Sequence, residues 1–324
     1  MKAIVQDGYG GPEVLRFKEV ERPAADGDRL LVRVRAAAVN AYDWHVMRGD
    51  PGLARLSVGL RRPKTRIRGR DFAGLVEAVG PAVTRFRPGD EVFGDLGPAD
   101  GAFAEYVSVA EDLVAARPPG LTPEHAAAIP LAGVTALQGL RGLAPGQRIL
   151  INGASGGVGT FAVQLAKAAG AEVTGVCGTR NVALVRSLGA DHVVDYRGDD
   201  AFAAGRRYDV VFDLVGNRSL SEYRRALTPA GTLILSGGGV YEGGSLLGPM
   251  RLILRGQLMS RFVSQRVLIL RAVTSRDDLA TLADMAAAGT LTPAIDRMFP
   301  LSATADAIRY LEQEHATAKV VITV

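Results

Sequence analysis

The apolar positions of this chain change rhythm near residue 122. Before that point they fall in short runs: Ala3-Ile-Val, Leu30-Leu-Val-Arg-Val-Arg35, Gly74-Leu-Val-Glu-Ala-Val79, Glu91-Val-Phe and Phe103-Ala-Glu-Tyr-Val107. Gly, Pro and Asp turn signals such as Arg87-Pro-Gly-Asp90 separate them. Short runs between such breakers predict antiparallel strands joined by turns. After Leu121-Thr-Pro-Glu124, where Thr122 is placed to cap a helix and Pro123 to open it, the chain becomes Ala-rich and then alternates strand with helix. A β-rich domain over 1–122 and a βα-alternating domain over 123–270 are expected, with a C-terminal segment over 271–324.

The alternation starts at Arg148-Ile-Leu-Ile-Asn-Gly-Ala-Ser-Gly-Gly-Val-Gly-Thr160. Ile149 to Ile151 read as a buried strand and Gly153 to Gly157 as a tight turn. Phe161, Leu165 and Ala168 recur at helical spacing until Gly170 stops the helix. Strand, glycine loop and helix N-terminus together offer a phosphorylated cofactor close backbone approach, free N–H groups and a partial positive charge. Ala154, Ser155, Gly156, Gly157, Val158 and Gly159 are the residues expected to hold it, although Ala154 stands where the strict G-x-G-x-x-G pattern has its first glycine. A second strand over 172–177, a helix over 181–189 and a third strand, His192-Val-Val-Asp195, extend the unit. Strands at Val210–Asp213, Thr232–Ser236 and Val267–Leu270 bring the parallel sheet to roughly six.

The end of the second strand selects the nucleotide. An NAD site wants a carboxylate there for the ribose hydroxyls, whereas a 2′-phosphate wants a cation. This chain has Gly178-Thr179-Arg180, with no acid in the run. Arg180 can clamp a phosphate through paired charge-assisted hydrogen bonds while Thr179 donates another, so the expected cofactor is NADPH. Tyr196 either closes the other side of that phosphate or packs as an aromatic.

Composition narrows the class without changing it. Of 324 residues, 48% are hydrophobic and 22% charged, as in a soluble globular protein long enough for more than one domain. With no signal-peptide pattern or long uncharged run, a cytoplasmic address and no stable membrane insertion are expected. The net charge of +4 draws on Arg61-Arg-Pro-Lys-Thr-Arg-Ile-Arg-Gly-Arg70, which lacks interleaved aromatics and reads as a solvated loop, so no nucleic-acid partner is expected. Leu246 to Leu270 is apolar but studded with arginines; it reads as a cleft cover, a subunit contact or a membrane-surface patch. The single cysteine, Cys177, lies in a core strand and reads as a small buried hydrophobe. His45, His125, His192 and His315 show no partner pattern.

Several stretches carry a resemblance over essentially the whole chain. They are Ala37-Ala-Val-Asn-Ala-Tyr-Asp-Trp44, Gly69-Arg-Asp-Phe-Ala-Gly74, Val83-Thr-Arg-Phe-Arg-Pro-Gly-Asp-Glu-Val-Phe-Gly94, Gly101-Ala-Phe-Ala-Glu-Tyr106, Pro130-Leu-Ala-Gly-Val-Thr-Ala-Leu137, Asn152-Gly-Ala-Ser-Gly-Gly-Val-Gly159 and Ser187-Leu-Gly-Ala-Asp191. The chain resembles the medium-chain dehydrogenase/reductase superfamily in its zinc-free quinone oxidoreductase, or zeta-crystallin-like, branch. The resemblance implies an α/β fold, a GroES-like β-rich catalytic domain plus a Rossmann doubly wound parallel sheet. It also implies a C-terminal return to the first domain, an active site between the domains, and a homodimer.

Zinc members of this superfamily hold their catalytic metal with Cys, a Gly-His-Glu segment and a later Cys. Here those places are Asn40, Arg70 with Asp71, and Ala132-Gly133, so no metal site is expected. An acceptor already electrophilic is then required, and the expected activity is hydride transfer from NADPH to a quinone or to the activated C=C of an α,β-unsaturated carbonyl. The resemblance assigns the cleft to Asn40, Tyr42 and Asp43. Asn40 is expected to donate to the carbonyl oxygen; Tyr42 is a proton donor or an amphipathic wall, and Asp43 lines the cleft or serves as a helix cap or structural hydrogen bond. Thr135, Val215, Gly216, Ser236 and Gly237 are expected around the nicotinamide and its ribose. Lys319 is expected near the cofactor phosphate, at the surface or supporting the fold. An enoyl reductase acting on a biosynthetic thioester, and an NADPH-gated binding protein with little turnover, are the alternatives.

Overall fold

A computed structural model describes residues 1–203, 205–236, 264–313 and 316–324. In chain order the first strands are β1 (Lys2–Gln6), β2 (Leu15–Glu19) and β3 (Arg29–Val39), followed by helices α1 (Ala41–Arg48) and α2 (Arg55–Val58). Next come β4 (Asp71–Val79), β5 (Glu91–Asp95), β6 (Tyr106–Ala110), β7 (Val114–Ala116), α3 (Pro123–Ala127) and α4 (Pro130–Gly139). The alternating region holds β8 (Arg148–Asn152), α5 (Gly157–Ala168), β9 (Glu172–Cys177), α6 (Val182–Ser187), β10 (His192–Asp195), β11 (Tyr208–Asp213), α7 (Leu220–Ala226), β12 (Leu227–Leu235) and β13 (Arg266–Ile269). The described chain closes with α8 (Arg276–Ala287), β14 (Ile295–Pro300), α9 (Thr304–Gln313) and β15 (Lys319–Thr323).

Two compact units result, Met1–Val134 with Val273–Val324, and Thr135–Ala272. The first is built on a seven-stranded sheet in the order β14-β15-β3-β4-β5-β7, with β6 on β3, and a separate β1-β2 pair. The C-terminal strand joins it directly: β15 runs antiparallel to β3, Val320 opposite Val39 and Ile322 opposite Ala37. Ile4, Leu30, Val32, Phe72, Phe103, Val109 and Ile322 fill the core between these strands. Thr122 caps α3 by accepting from the His125 N–H, and α3 then packs on β3 and β4. Composition changes at 122, yet the contact boundary falls after Val134, because the Ala-rich helix α3 buries its small side chains on the first sheet. Phe103 and Ala104 also depart from the expected strand: Ile4 N–H bonds Phe103 O and Ala3 bridges Ala104, so β6 starts only at Tyr106. Strand β2 is not among the expected strands: Leu15 and Phe17 alternate with charged residues, but only Leu15 is buried.

The second unit holds a six-stranded, fully parallel sheet in the order β10-β9-β8-β11-β12-β13. Numbered from β8 as the first, this is the 3-2-1-4-5-6 order of a doubly wound dinucleotide fold, whose strand direction of winding reverses between β8 and β11. Ile149, Leu150, Ile151, Val211, Phe212 and Leu233 are almost wholly buried, the continuous apolar run expected of strands covered on both faces. Ligands of such sheets bind at the carboxyl ends of the strands beside that reversal, which are here Asn152 and Asp213.

Candidate active site

In the first unit, β3 ends at Val39 and Asn40 opens α1 in extended conformation. Asp43, three residues on, turns its side chain back and accepts the Asn40 N–H at 2.7 Å, so its visible work is that of a helix cap. Its second oxygen is buried with no partner among the described residues. Burial first, then the nearby Asp100 carboxylate, pushes the Asp43 carboxyl up to about 8.

The Asn40 side chain is committed inside the protein. Its Nδ2 donates to Asp71 Oδ2 at 2.9 Å and lies 3.4 Å from Ala38 O, and its Oδ1 accepts from Lys319 Nζ. The neighbours fix which end is which, because an ammonium needs an acceptor and a carboxylate a donor. Asn40 therefore has no donor left for an acceptor's carbonyl, contrary to the expectation from sequence. Lys319 is also not on the surface: it is 2% exposed, and its ammonium meets Val39 O at 3.2 Å and Asp71 Oδ2 at 3.4 Å. The strand pairing of β15 with β3 carries it there, where it ties the end of the chain to the start of α1. Asp71 Oδ1 takes the Leu131 N–H at 3.0 Å. Burial pushes the Asp71 carboxyl up to about 6 against the opposing pull of Lys319.

These residues do not fit a zinc ion. Asn40 and Asp71 already share an ammonium, the neighbouring Arg70 is a cation, and Ala132 and Gly133 carry no ligand atom. Cys177 lies in β9 of the other unit, where burial, with Asp195 nearby, pushes its thiol up to about 11 and away from the thiolate that a metal takes. Among the described residues, no three His, Cys, Asp or Glu groups are arranged to hold a metal.

Beside this cluster, four of the six cations in the basic run 61–70 are solvated, as expected, and two are interior. Arg61, Arg62, Lys64 and Arg66 are exposed, but Arg68 and Arg70 are buried. Arg68 pairs with Asp100 at 3.0 Å, and Arg70 grips Asp95 with Nε at 2.8 Å and Nη2 at 2.6 Å. Asp95 also accepts from Gly97 N–H at 2.8 Å and Thr274 Oγ1 at 2.5 Å. The carbons of a solvated loop would not fold inward; what draws these two arginines in is a buried aspartate apiece. The Arg70 guanidinium lies 4.8 Å from the centre of the Tyr42 ring. Half-buried Tyr42 keeps its proton, its hydroxyl pushed up to about 12 by burial first and by Asp100 second.

In the second unit the glycine loop has the expected form, with the roles shifted by one residue. The left-handed turn is made by Gly153, φ +88°, while Ala154 is fully buried and spends its N–H on Val176 O at 2.9 Å. Gly156 precedes α5 in extended conformation and bonds back to Gly153 O. Gly159 admits no side chain, since a Cβ would meet Gly153 O at 2.1 Å. The N–H groups of Gly157, Val158 and Gly159, the first three of α5, have no intrahelical acceptor, and the Gly156 cap has no side chain to take them. The chemistry of this cradle suits a pyrophosphate: the helix-start N–H groups and the helix dipole are there for an anion, while the Ala154 N–H is already spent on Val176 O.

The second strand leads into Thr179–Asn181, a 3₁₀ turn that opens α6. Arg180 is exposed there, and the Tyr196 hydroxyl lies 3.0 Å from where a Gly178 Cβ would be, so Thr179, Arg180 and Tyr196 form one corner. Asn181 Nδ2 ties the corner to Ser155 Oγ at 3.0 Å. One feature departs from expectation: Thr179 Oγ1 donates to Asp195 Oδ2 at 2.5 Å, so a carboxylate from the next strand stands at this corner. Thr179 holds Asp195 below the usual carboxylate range, with the Arg197 N–H helping.

At the other strand ends, Val215, Gly216 and Ser236 gather around the buried Asp213. Its carboxylate accepts the Gly216 N–H at 2.9 Å and lies 3.4 Å from Val215 N, while Ser236 N–H bonds its carbonyl. Asn152 Nδ2 joins the group, donating to Asp213 at 2.7 Å and to Asn217 at 2.9 Å. Asn152 and Asp213 were not singled out from sequence, although both are polar residues closing apolar strands. Thr135 is buried in α4. Gly237 lies outside the described residues, as do His315 and most of the 246–270 stretch.

Comparison with known proteins agrees with this architecture. Residues 26–119 match the family model described as an alcohol dehydrogenase GroES-like domain, and 188–322 the one described as a zinc-binding dehydrogenase. A chloroplastic quinone-oxidoreductase homolog of Spinacia oleracea is 34% identical, over 99% of this chain and 98% of that protein. A chloroplastic NADPH-dependent alkenal/one oxidoreductase of Arabidopsis thaliana is also 34% identical, over 99% of this chain and 79% of that protein. Among solved structures, the Escherichia coli quinone oxidoreductase complexed with NADPH is similar with TM-score 0.85 and 26% identity, covering all of both chains. The Coxiella burnetii quinone oxidoreductase gives 0.87 and 29%, over 100% of this chain and 99% of that one. A GroES-like sheet, a 3-2-1-4-5-6 parallel sheet, and relatives over the whole length agree: the chain belongs to the medium-chain dehydrogenase/reductase superfamily, in its zinc-free quinone oxidoreductase branch.

Proposed function

We propose that this chain is a zinc-independent, NADPH-dependent oxidoreductase that reduces a quinone or the activated C=C of an α,β-unsaturated carbonyl. The observation that carries the reading is the interior ammonium of Lys319, held by Val39, Asn40 and Asp71. Where the zinc relatives assemble a metal shell, this chain has a fixed cation and its counter-ion, so alcohol activation by a Lewis acid has no ligands to work with. An acceptor that takes hydride unaided suits such a site. The names of the spinach, Arabidopsis and E. coli relatives support the same substrate classes and cofactor.

NADPH, when bound, supplies the hydride. The N–H groups of Gly157, Val158 and Gly159 hold its pyrophosphate, and Arg180 with Tyr196 takes the 2′-phosphate. Val215, Gly216, Ser236 and Thr135 serve the nicotinamide end. Tyr42, protonated far above neutral pH, delivers a proton to the enolate or hydroquinone anion, directly or through water. Action as a cytoplasmic homodimer belongs to the same proposal; no described helix is long and apolar enough to cross a membrane.

The direct test uses NADPH stereospecifically deuterated at C4, both isomers, with an α,β-unsaturated ketone. One isomer should place deuterium on the β-carbon of the product, read by NMR. Label at the carbonyl carbon would mean carbonyl reduction and would refute the alkene assignment.

A further inference from the structure

With Asn40 and Lys319 committed to each other, the acceptor oxygen needs another donor. As hydride bonds the β-carbon, the C=C pair shifts and negative charge gathers on that oxygen. A metal-free site must meet this charge with fixed hydrogen bonds. Arg70 has the required arrangement. Asp95 takes the Nε–Nη2 edge of its guanidinium, and Asp95 is itself fixed by the Gly97 N–H and Thr274 Oγ1. The Nη1 group has no partner among the described residues, and the side chain keeps 11% of its surface exposed. The guanidinium lies against the ring of Tyr42, so the unused N–H pair and the phenol occupy one locality. Gly69 sets the chain for this: its φ is +94°, and a Cβ there would strike the Phe103 ring at 2.6 Å.

We propose that Arg70 is a catalytic residue of this chain, its Nη1 hydrogen-bonding the oxygen of the quinone or enone as the charge develops. The proposal rests on the reductase reading above. No proton leaves Arg70, whose guanidinium stays charged throughout; the proton that completes the reduction comes from Tyr42 or water. Asp95 and Thr274 act as positioning residues, holding the guanidinium so that only Nη1 is presented.

The test compares wild type with Arg70→Lys, which keeps a cation for Asp95 but loses the fork, and with Arg70→Met/Asp95→Asn, which removes both buried charges together. Thermal unfolding and NADPH titration by fluorescence accompany kinetics on quinones and enones whose reduced oxyanions span a range of basicity. The proposal expects folded variants with unchanged NADPH affinity and kcat lower by about 100- to 1000-fold. The loss should grow as the product oxyanion becomes more basic. A folded variant with kcat within about threefold of wild type overturns the role of Arg70, as does a uniform loss or one confined to KM. Wild type that turns over none of these quinones and enones with NADPH overturns the reductase reading and this proposal together.

Discussion

Lys319 and Asn40 lie 279 positions apart in the sequence and share a buried hydrogen bond, Nζ to Oδ1. The contact exists because the last strand of the chain returns to pair with β3 just before Asn40. It sets one ammonium and the Asp71 carboxylate where both are almost wholly out of water. Such a pair is sensitive to the loss of one member, which leaves the other charge buried alone.

Lys319→Met should therefore cost about 3–5 kcal/mol of stability, measured by urea unfolding. Adding Asp71→Asn should recover most of it by removing the stranded carboxylate. A single variant within about 1 kcal/mol of wild type, inside the range of an exposed pair, would show that the interior ion pair is not holding this corner.

Asp43 predicts a pH dependence of definite sign. Its folded pKa, about 8, lies above its unfolded value, so the folded state binds the proton more tightly. Its favourable contribution is complete below about pH 4, the unfolded carboxyl value, and is lost as pH rises toward 8. Asp43→Asn keeps an acceptor for the Asn40 N–H and removes the titration. Its stability should stay flatter than wild type between pH 4 and 8; identical pH profiles would mean that Asp43 does not carry the proton.

At the nucleotide corner two charges of opposite sign make opposite predictions. Arg180→Ala should weaken NADPH binding by about 10- to 100-fold, as expected for lost charge-assisted hydrogen bonds, and leave NADH binding nearly unchanged. Asp195→Asn should tighten NADPH at low salt by removing the carboxylate now held by Thr179. Equal losses for the two nucleotides in Arg180→Ala would remove the phosphate clamp.

Gly159→Ala tests the cradle. Its Cβ would strike the backbone oxygen of Gly153, so the helix must shift off the loop. A stability loss of about 1–3 kcal/mol from overpacking should accompany much weaker NADPH binding. Unchanged binding would show that the pyrophosphate is held elsewhere.

The second unit was legible because its signals are local. An apolar run, a glycine loop and a helical period sit in consecutive residues, and β8, α5, β9 and β10 appear where those patterns place them. The first unit was less so, because its site is assembled by long-range pairing. Nothing local in Lys319 points to Asn40, and nothing in the run 61–70 separates exposed Arg61 from Arg70, whose Asp95 partner comes from β5. Asp43 showed its structural use through its spacing from Asn40, a cap signature that the structure contains. The Thr179–Asp195 contact was invisible for the same reason as Lys319: parallel register puts Asp195 beside Cys177, a neighbour in the sheet and not in the chain.

The central claim is tested most directly by following nicotinamide absorbance with NADPH and with NADH, each against a 1,4-quinone, an α,β-unsaturated ketone and a simple aldehyde, with and without a metal chelator. The account predicts turnover of the quinone or enone, faster with NADPH and indifferent to the chelator. Aldehyde reduction that the chelator abolishes would contradict it.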